Sequence, residues 1–191
     1  RASLHAPAGS PMTSHHQPPH RLSERFRYRG RKFGFEAARL RLPNGAEGEF
    51  ETIRHPGGAM AIPVLGDGRF VVVRQYRFPL ERWLLEFPAG TLEPGEAPEA
   101  TIRRELEEET GYSAQQWSHL GRFPLAPGYS DETIHAFMAW NLTPLAEPPA
   151  QDADEDIQTL AMTTAELETA AFAGEVDAKT IGGYCLARSH L

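Results

Sequence analysis

Three glutamates in the middle of the chain have the spacing of one helical face. Glu105, Glu108 and Glu109 lie in a run rich in Glu, Arg, Leu and Ala, which favour helix. At about 100° per residue, their side chains project within an arc of roughly 100°. A solvated helix face is the ordinary interpretation of such a run. Like charges at this spacing cost roughly 0.2–0.5 kcal/mol per pair, so the cluster indicates a compensating divalent cation that prefers oxygen ligands.

The neighbouring residues predict where this helix begins and ends. Pro98 suits the first helical turn, where its missing N–H has no partner to lose, and Gly111 suits the left-handed position after the last turn. We expect Ile102 and Leu106, on an adjoining stripe, to be buried, whereas Glu107 points elsewhere and should be solvated. The sequence therefore predicts one helix with a buried side and an acidic side.

Composition restricts the kinds of protein that this chain can be. Hydrophobic residues make up 40% and charged residues 24% of the 191, which is ordinary for a globular domain. A net charge of −7 argues against a nucleic-acid partner, which would require a basic surface. We find no apolar run of about 18 residues, as a membrane helix needs, and no signal peptide. The single cysteine, Cys185, is expected to be a small buried residue in a C-terminal helix of a cytoplasmic protein.

Alternating and apolar runs predict strands on both sides of the helix. Residues 26–53 read as an antiparallel unit around Asn44-Gly45, a strong turn signal. Further strands are predicted at residues 60–64, 69–73, 83–86, 117–123, 133–140 and 157–162. Thr163 and Glu166 predict a capping box for a helix that ends near Gly174, and a last helix should begin at Asp177. This order of elements predicts an α+β fold with a mixed sheet.

The stretch 90–112 matches a known pattern at every defined position. The pattern is a Gly, five residues, a Glu, seven residues, then Arg-Glu-apolar-any-Glu-Glu-any-Gly-apolar. The residues that fill it are Gly90, Glu96, Arg104, Glu105, Leu106, Glu108, Glu109, Gly111 and Tyr112. The chain is thereby identified as a member of the Nudix hydrolases, which use metal ions on this helix to hydrolyse a nucleoside diphosphate linked to another group. The resemblance implies an α/β/α sandwich with a mixed β-sheet and an N-terminal antiparallel β-hairpin element.

The resemblance also implies a metal site. Glu105, Glu108 and Glu109, together with the backbone carbonyl of Ala89, would hold two or three magnesium ions (Mg²⁺), for which Mn²⁺ could substitute. Such ions bridge a diphosphate, polarise one phosphorus atom and lower the pKa of a bound water. Glu108 is expected either to bind a metal directly or to bridge to one.

Two further residues have expected roles in catalysis. Arg104 should pair with Glu96, fixing the preceding loop to the helix and orienting the metal ligands. Glu132, on the loop after the helix, lies where related enzymes keep a mobile acidic residue and is the candidate general base. Its ordinary alternative is a solvated loop acid.

Four short motifs outside the Nudix pattern resemble bacterial ADP-ribose pyrophosphatases. They are Arg-His-Pro-Gly at 54–57, Arg-Gln-Tyr-Arg at 74–77, Leu-Glu-Phe-Pro-Ala-Gly at 85–90 and Ala-Pro-Gly-Tyr-Ser-Asp-Glu at 126–132. Pro127 also lies 16 residues after Gly111, where this subgroup has a proline. The resemblance implies hydrolysis of the pyrophosphate of ADP-ribose to AMP and ribose 5-phosphate, by attack of water on phosphorus.

Tyr129 favours a different substrate. It lies 18 residues after Gly111, close to where dinucleoside polyphosphate hydrolases carry a tyrosine. A Nudix hydrolase of dinucleoside polyphosphates, GDP-sugars or oxidised nucleotides is therefore the first alternative. The second is a non-catalytic, ligand-sensing Nudix domain. That class usually has gaps in the pattern and a DNA-binding module, whereas here the pattern is complete and no basic helix-turn-helix is apparent.

The candidate substrate residues follow from side-chain chemistry and from the same resemblance. Arg77 is the first candidate for the diphosphate, because a guanidinium fork matches phosphate oxygens. Arg54 and Glu51 are candidates for the base or ribose, and they could reach the site of a second subunit.

Tyr28, or alternatively Phe33 or Phe35, could stack on adenine, although simple packing in a strand is an equal alternative. We expect Trp83 and Trp117 to lie in the core.

Three regions are predicted along the chain. Residues 1–20 are rich in Pro, His and Ser and should form a flexible tail. Met12 is a candidate native start, which makes residues 1–11 candidates for an added segment. Residues 21–55 are expected to form the N-terminal antiparallel element, which in this subgroup usually exchanges between the subunits of a homodimer. Residues 56–191 are expected to form the Nudix catalytic domain.

Overall fold

The computed structural model describes residues 18–150 and 156–191. Residues 1–17 of the tail predicted at residues 1–20 therefore lie outside the described residues, and so does the candidate start at Met12. The elements, in chain order, are β1 (His20–Arg29), β2 (Gly34–Arg41), β3 (Glu47–Arg54), β4 (Gly58–Pro63), β5 (Phe70–Arg77), β6 (Arg82–Glu86), β7 (Ala89–Thr91), α1 (Pro98–Thr110), β8 (Tyr112–Pro124), β9 (Thr133–Pro144), β10 (Ile157–Met162), α2 (Thr164–Phe172) and α3 (Ala178–Ala187).

The N-terminal element is a three-stranded antiparallel sheet in the order β1-β2-β3. The predicted turn joins β2 to β3, with Gly45 at a φ of +85° and the Leu42 N–H donating to the Ala46 carbonyl at 2.8 Å. Strand β1 begins before the predicted unit. Its register against β2 shifts twice, between Arg21 and Ser23 and between Glu24 and Phe26. These irregularities break the strict alternation by which a strand is recognised in a sequence.

Helices cover both faces of a four-stranded mixed sheet in the order β7-β4-β9-β8, in which β4 and β9 are parallel. Alternate side chains of β4 point to opposite faces. Ala59 and Ala61 pack in one core cluster with Ile102 of α1. Met60 belongs to a second cluster, which contains Ala187 of α3. The remaining sheet, β10-β5-β6, is antiparallel. The predicted α+β fold with a mixed sheet is thus observed.

Helix α1 has the predicted bounds. Ile102 and Leu106 are completely buried, as expected, and Gly111 ends the helix at a φ of +71° with its N–H donating to the Glu107 carbonyl at 3.0 Å. The Glu107 side chain is half-buried, which corrects the expectation of full solvation. The unpredicted strand β7 lies just before the helix and pairs with the start of β4, Ala89 opposite Met60.

The two C-terminal helices begin where the sequence predicts, but the predicted burial of Cys185 is wrong. The capping box of Thr163 and Glu166 is formed at α2. Cys185 lies in α3 as expected, yet it is exposed rather than buried. The buried positions of α3 are Lys179, Thr180, Gly183 and Ala187, and a residue two positions after Gly183 projects from the opposite face.

The two tryptophans expected in the core are only half-buried. Each lies beneath an arginine instead, with the Arg74 guanidinium 5.2 Å from the ring centre of Trp83 and that of Arg103 4.8 Å from Trp117. Among the described residues, no helix has both the length and the apolar character needed to cross a membrane.

Candidate active site

A cleft of about 1140 Å³ collects most of the residues singled out in the sequence. The predicted site residues that line it are Tyr28, Arg54, Arg77, Ala89, Arg104, Glu105, Glu108, Glu109 and Glu132. Two other candidates are not among the lining residues. Glu51 is exposed in the middle of β3, opposite Ala37 of β2, and Pro127 is exposed on the loop between β8 and β9. The structure thus brings together nine of the predicted residues from elements far apart in the chain.

The floor of the cleft is the close contact between β7 and α1. At Gly90 a Cβ atom would overlap the Glu105 side chain, so only glycine leaves room for this carboxylate. Glu109 is 5% exposed, and its Oε2 accepts a hydrogen bond from the Ala89 N–H at 3.0 Å. The two glutamates are therefore held against the strand that carries the Ala89 carbonyl.

Arg104 contacts two of the clustered glutamates directly. Its Nη1 donates to Glu105 Oε1 at 2.9 Å and to Glu108 Oε2 at 3.0 Å. Its Nη2 lies 3.6 Å from Glu96 Oε2, so the predicted loop-to-helix ion pair is present but long. Burial would lower the pKa of Arg104, but the charges of Glu105 and Glu108 outweigh it and raise that pKa. Arg104 therefore offsets part of the repulsion between the carboxylates.

The donor atoms of this cluster suit a hard divalent cation. Glu105, Glu108 and Glu109 supply carboxylate oxygens, the ligands that magnesium and manganese prefer. Within residues 18–150 and 156–191, no three His, Cys, Asp or Glu side chains already converge closely enough to hold a metal ion. The donor atoms are thus of the right chemical kind for a cation. Among the described residues, however, the carboxylates do not yet lie close enough together to bind one.

The loop that carries Glu132 is attached to the N-terminal sheet. Arg54 Nη1 donates to Asp131 Oδ2 at 2.9 Å, and the His55 N–H donates to Asp131 Oδ1 at 2.8 Å. Glu132 Oε1 lies 3.7 Å from Nδ1 of His55. The same Nδ1 accepts a hydrogen bond from the Gly57 N–H at 3.1 Å. Glu132 is therefore half-buried at the cleft, beside His55.

Arg54 joins two carboxylates of different elements. Besides Asp131, its Nη2 donates to Glu36 Oε1 at 2.6 Å, and Glu36 also pairs with Arg21. The hydrogen bond from Arg54 is the main reason that the pKa of Glu36 is lowered. Much of the guanidinium of Arg54 is thus engaged by protein groups, which limits the donors that a substrate would find there.

A buried charge network at the end of the cleft was missed in the sequence. Glu86 is 1% exposed and accepts from Arg77 at both oxygens, with Nε to Oε1 and Nη2 to Oε2 each at 2.5 Å. Lys179 of α3 also pairs with Glu86 Oε2, and its Nζ lies 2.6 Å from Asp177 Oδ2. The signal was the position of Glu86 in the apolar run Trp-Leu-Leu-Glu-Phe, because a charge buried there needs a partner.

Glu86 makes the folded state sensitive to acid. Burial would raise its pKa, but the hydrogen bond from Arg77 and the charge of Lys179 outweigh burial and lower that pKa from 4.5 to about 2. Because the folded state has the lower pKa, the network contributes its full stability above pH 4.5 and loses it as the pH falls from 4.5 to 2.

We therefore expect the Tm from scanning calorimetry to fall over this pH range in the wild-type protein. In Glu86→Gln, which has no carboxyl group to titrate, the fall should be shallower. Identical dependence of Tm on pH in the two proteins would show that Glu86 is not responsible for acid sensitivity.

Comparison with known proteins identifies the family. The NUDIX domain model matches residues 54–181. The chain is 42% identical over 142 residues to an ADP-ribose pyrophosphatase from Bacillus subtilis, covering 74% of this chain and 77% of the relative. It is 40% identical to a methanol dehydrogenase activator from Bacillus methanolicus, covering 73% and 75%. The chain therefore belongs to the Nudix family, whose hydrolases generally use divalent metal ions. It is a Nudix pyrophosphohydrolase.

The three-dimensional comparison agrees with this assignment at the level of the fold. A crystal structure of an ADP compounds hydrolase superimposes with a TM-score of 0.78 and 24% identity, covering 92% of this chain and 95% of that one. The predicted Nudix sandwich is confirmed.

Proposed function

We propose that this protein hydrolyses the pyrophosphate of ADP-ribose to AMP and ribose 5-phosphate. The observation that supports the proposal most directly is that the three glutamates of the Nudix pattern, with Gly90 and Arg104, line the same cleft as Arg77. One wall of that cleft carries the carboxylates of α1. The end of β1 and the turn after it contribute a basic wall with Arg27, Arg29, Arg31 and Lys32. A nucleoside diphosphate sugar needs both kinds of wall, an acidic one for cations and a basic one for phosphates.

The roles that we propose follow from the positions of the side chains. Glu105, Glu108 and Glu109, with the Ala89 carbonyl, would hold Mg²⁺ ions; when bound, these would polarise the diphosphate and acidify a water ligand. Arg104 orients Glu105 and Glu108. Glu132 accepts the proton of the water that attacks phosphorus, and the phosphoanhydride bond breaks as the new P–O bond forms.

Substrate binding is assigned to residues on the other side of the cleft. Arg77 donates to the diphosphate, and Tyr28, 62% exposed at the edge of the cleft, stacks on the adenine. Arg54 contacts the ribose through whatever donors Glu36 and Asp131 leave free. Glu51 and Pro127 would take part only through a change of conformation or a second subunit, since neither lines the cleft of this chain.

The experiment is a magnesium-dependent assay of the purified protein on ADP-ribose, GDP-mannose and diadenosine polyphosphates, with products separated by chromatography. The proposal expects AMP and ribose 5-phosphate from ADP-ribose as the fastest reaction. Equal or faster turnover of GDP-mannose or a diadenosine polyphosphate would overturn the choice of substrate. Tight binding of ADP-ribose without turnover of any compound would favour a ligand-sensing domain.

Gly90 provides a test of how closely the carboxylates must approach the strand. In Gly90→Ala the added methyl group overlaps Glu105 and must displace that carboxylate. We expect kcat/KM for ADP-ribose to fall by about 10- to 100-fold, as for other displacements of groups that orient metal ligands. Gly66→Ala is the matched control, because a Cβ there meets no atom within 4 Å. Equal activities of the two variants would contradict this role of Gly90.

We also propose that residues 21–55 mediate a homodimer of a cytoplasmic protein. The support is that the N-terminal sheet leaves several aromatic side chains uncovered, namely Phe26, Tyr28, Phe33 and Phe50. Sedimentation equilibrium of the wild-type protein measures the mass directly. A monomer at all concentrations would overturn the dimer.

A further inference from the structure

Arg77 contacts Glu86 through only part of its guanidinium. A guanidinium has five N–H groups, and Glu86 accepts from Nε and Nη2 of Arg77. The N–H groups of Nη1 take no part in this two-point contact. The Arg77 side chain is 40% exposed and lines the cleft. The orientation of this guanidinium in the cleft is therefore set by the orientation of the Glu86 carboxylate beneath it.

The Glu86 carboxylate is held in turn by Lys179. This lysine pairs with Glu86 Oε2, the same oxygen that accepts from Nη2 of Arg77. Its Nζ is also 2.6 Å from Asp177 Oδ2, and its side chain is only 8% exposed. Lys179 also lines the cleft, but its Nζ is directed towards two protein carboxylates and its exposed surface is small. The four charges of Arg77, Glu86, Lys179 and Asp177 sum to zero, as a buried network requires.

The first turn of α3 holds Lys179 in place. The Phe87 N–H donates to Thr180 Oγ1 at 2.8 Å, so the residues that follow Glu86 and Lys179 are joined directly. Just before the helix, the Leu85 N–H donates to the Glu175 carbonyl at 2.8 Å. The start of α3 and the end of β6 are consequently one hydrogen-bonded unit, in which Lys179 has a defined position relative to Glu86.

We infer that Lys179 is a positioning residue for substrate binding, which acts through Glu86 to orient Arg77 towards the diphosphate. This inference rests on the proposed function, because it assigns the bound anion to the phosphates of that substrate. Without Lys179, the Glu86 carboxylate keeps Arg77 as its partner but loses the second cation that fixes its rotation. Arg77 then donates to phosphate from a wider range of orientations, and binding weakens.

The test is a double-mutant cycle of Lys179→Met and Arg77→Ala with ADP-ribose as substrate. Lys179→Met removes the charge and keeps most of the volume. We expect it to raise KM about tenfold, because a charge-assisted hydrogen bond is weakened, while kcat changes less than about threefold. In the Arg77→Ala background the same change should have no further effect on KM. A purely structural role would not produce this dependence on Arg77.

Three results would overturn the inference. An unchanged KM in Lys179→Met would show that Arg77 is oriented without the lysine. An equal rise in KM in the Arg77→Ala background would show that Lys179 acts independently of Arg77. A fall in kcat alone would place the effect in the chemical step. Arg188→Met, which removes an exposed cation at the other end of α3, is the matched control and should leave KM unchanged.

The experiment distinguishes failure of this inference from a wrong choice of substrate and from misfolding of a variant. If the wild-type protein does not hydrolyse ADP-ribose, the substrate is wrong, and the cycle is measured with the compound that it does hydrolyse. If Lys179→Met alone does not fold, Asp177→Asn/Lys179→Met replaces it, because this pair removes equal and opposite charges and asparagine still caps the helix. Tm values of all variants verify that each assay is made on folded protein.

Discussion

Replacing Glu109 by glutamine is expected to lower kcat/KM for ADP-ribose by about 10³-fold, a loss comparable to removing one group that stabilises charge in a transition state. Glu109 is the most buried of the three clustered glutamates, and its Oε2 accepts from the Ala89 N–H. A glutamine oxygen can accept that hydrogen bond, so β7 should stay against α1. What the substitution removes is the negative charge that would hold a divalent cation.

The matched control is Glu107→Gln, on the same helix but not among the residues that line the cleft. It should retain wild-type activity within about twofold, since an isosteric change away from the site alters neither the cations nor the substrate. The measurement is the steady-state rate of AMP release over a range of magnesium concentrations. Comparable activity of the two variants would rule out Glu109 as part of the catalytic machinery.

Replacing Glu86 by glutamine is expected to have the largest effect on stability. The change leaves Lys179 with only Asp177 and removes the negative charge between two buried or half-buried cations. Breaking a buried ion pair by removing one partner costs about 3–5 kcal/mol. We expect a loss at the lower end of this range in the free energy of unfolding, measured with urea at pH 7, because Arg77 can turn towards solvent.

Glu47→Gln provides the comparison for this stability change. Glu47 also accepts from Nε and Nη2 of one arginine, Arg41, both at Oε1, but both side chains lie near the surface of the N-terminal sheet. Solvent screens such a pair, so its loss should barely alter the urea midpoint. If Glu86→Gln were no more destabilising than Glu47→Gln, the buried network would have no special part in holding α3 against β6.

Ion pairs between residues that are far apart in the chain were not predictable from the sequence. Lys179 and Glu86 are 93 residues apart, and Arg54 and Asp131 are 77 apart. The sequence contains each of these residues, and Arg54 and Arg77 were candidates because of their hydrogen-bond donors. No local sequence pattern, however, indicates which carboxylate a given arginine will contact. The consequence is functional, since part of each arginine proposed for the substrate is already engaged, Arg54 by Glu36 and Asp131 and Arg77 by Glu86.

The amino-acid sequence by itself determined helix α1, its caps and the face that carries Glu105, Glu108 and Glu109, because helix propensity, Pro98, Gly111 and a period of 3.6 residues act over a few neighbours. It also determined the Nudix family, since the pattern is contiguous. Only the tertiary structure decided that Gly90 must leave room for Glu105, that Cys185 faces outward and that Lys179 reaches Glu86. These outcomes depend on which elements pack together, and packing joins residues that are distant in the chain.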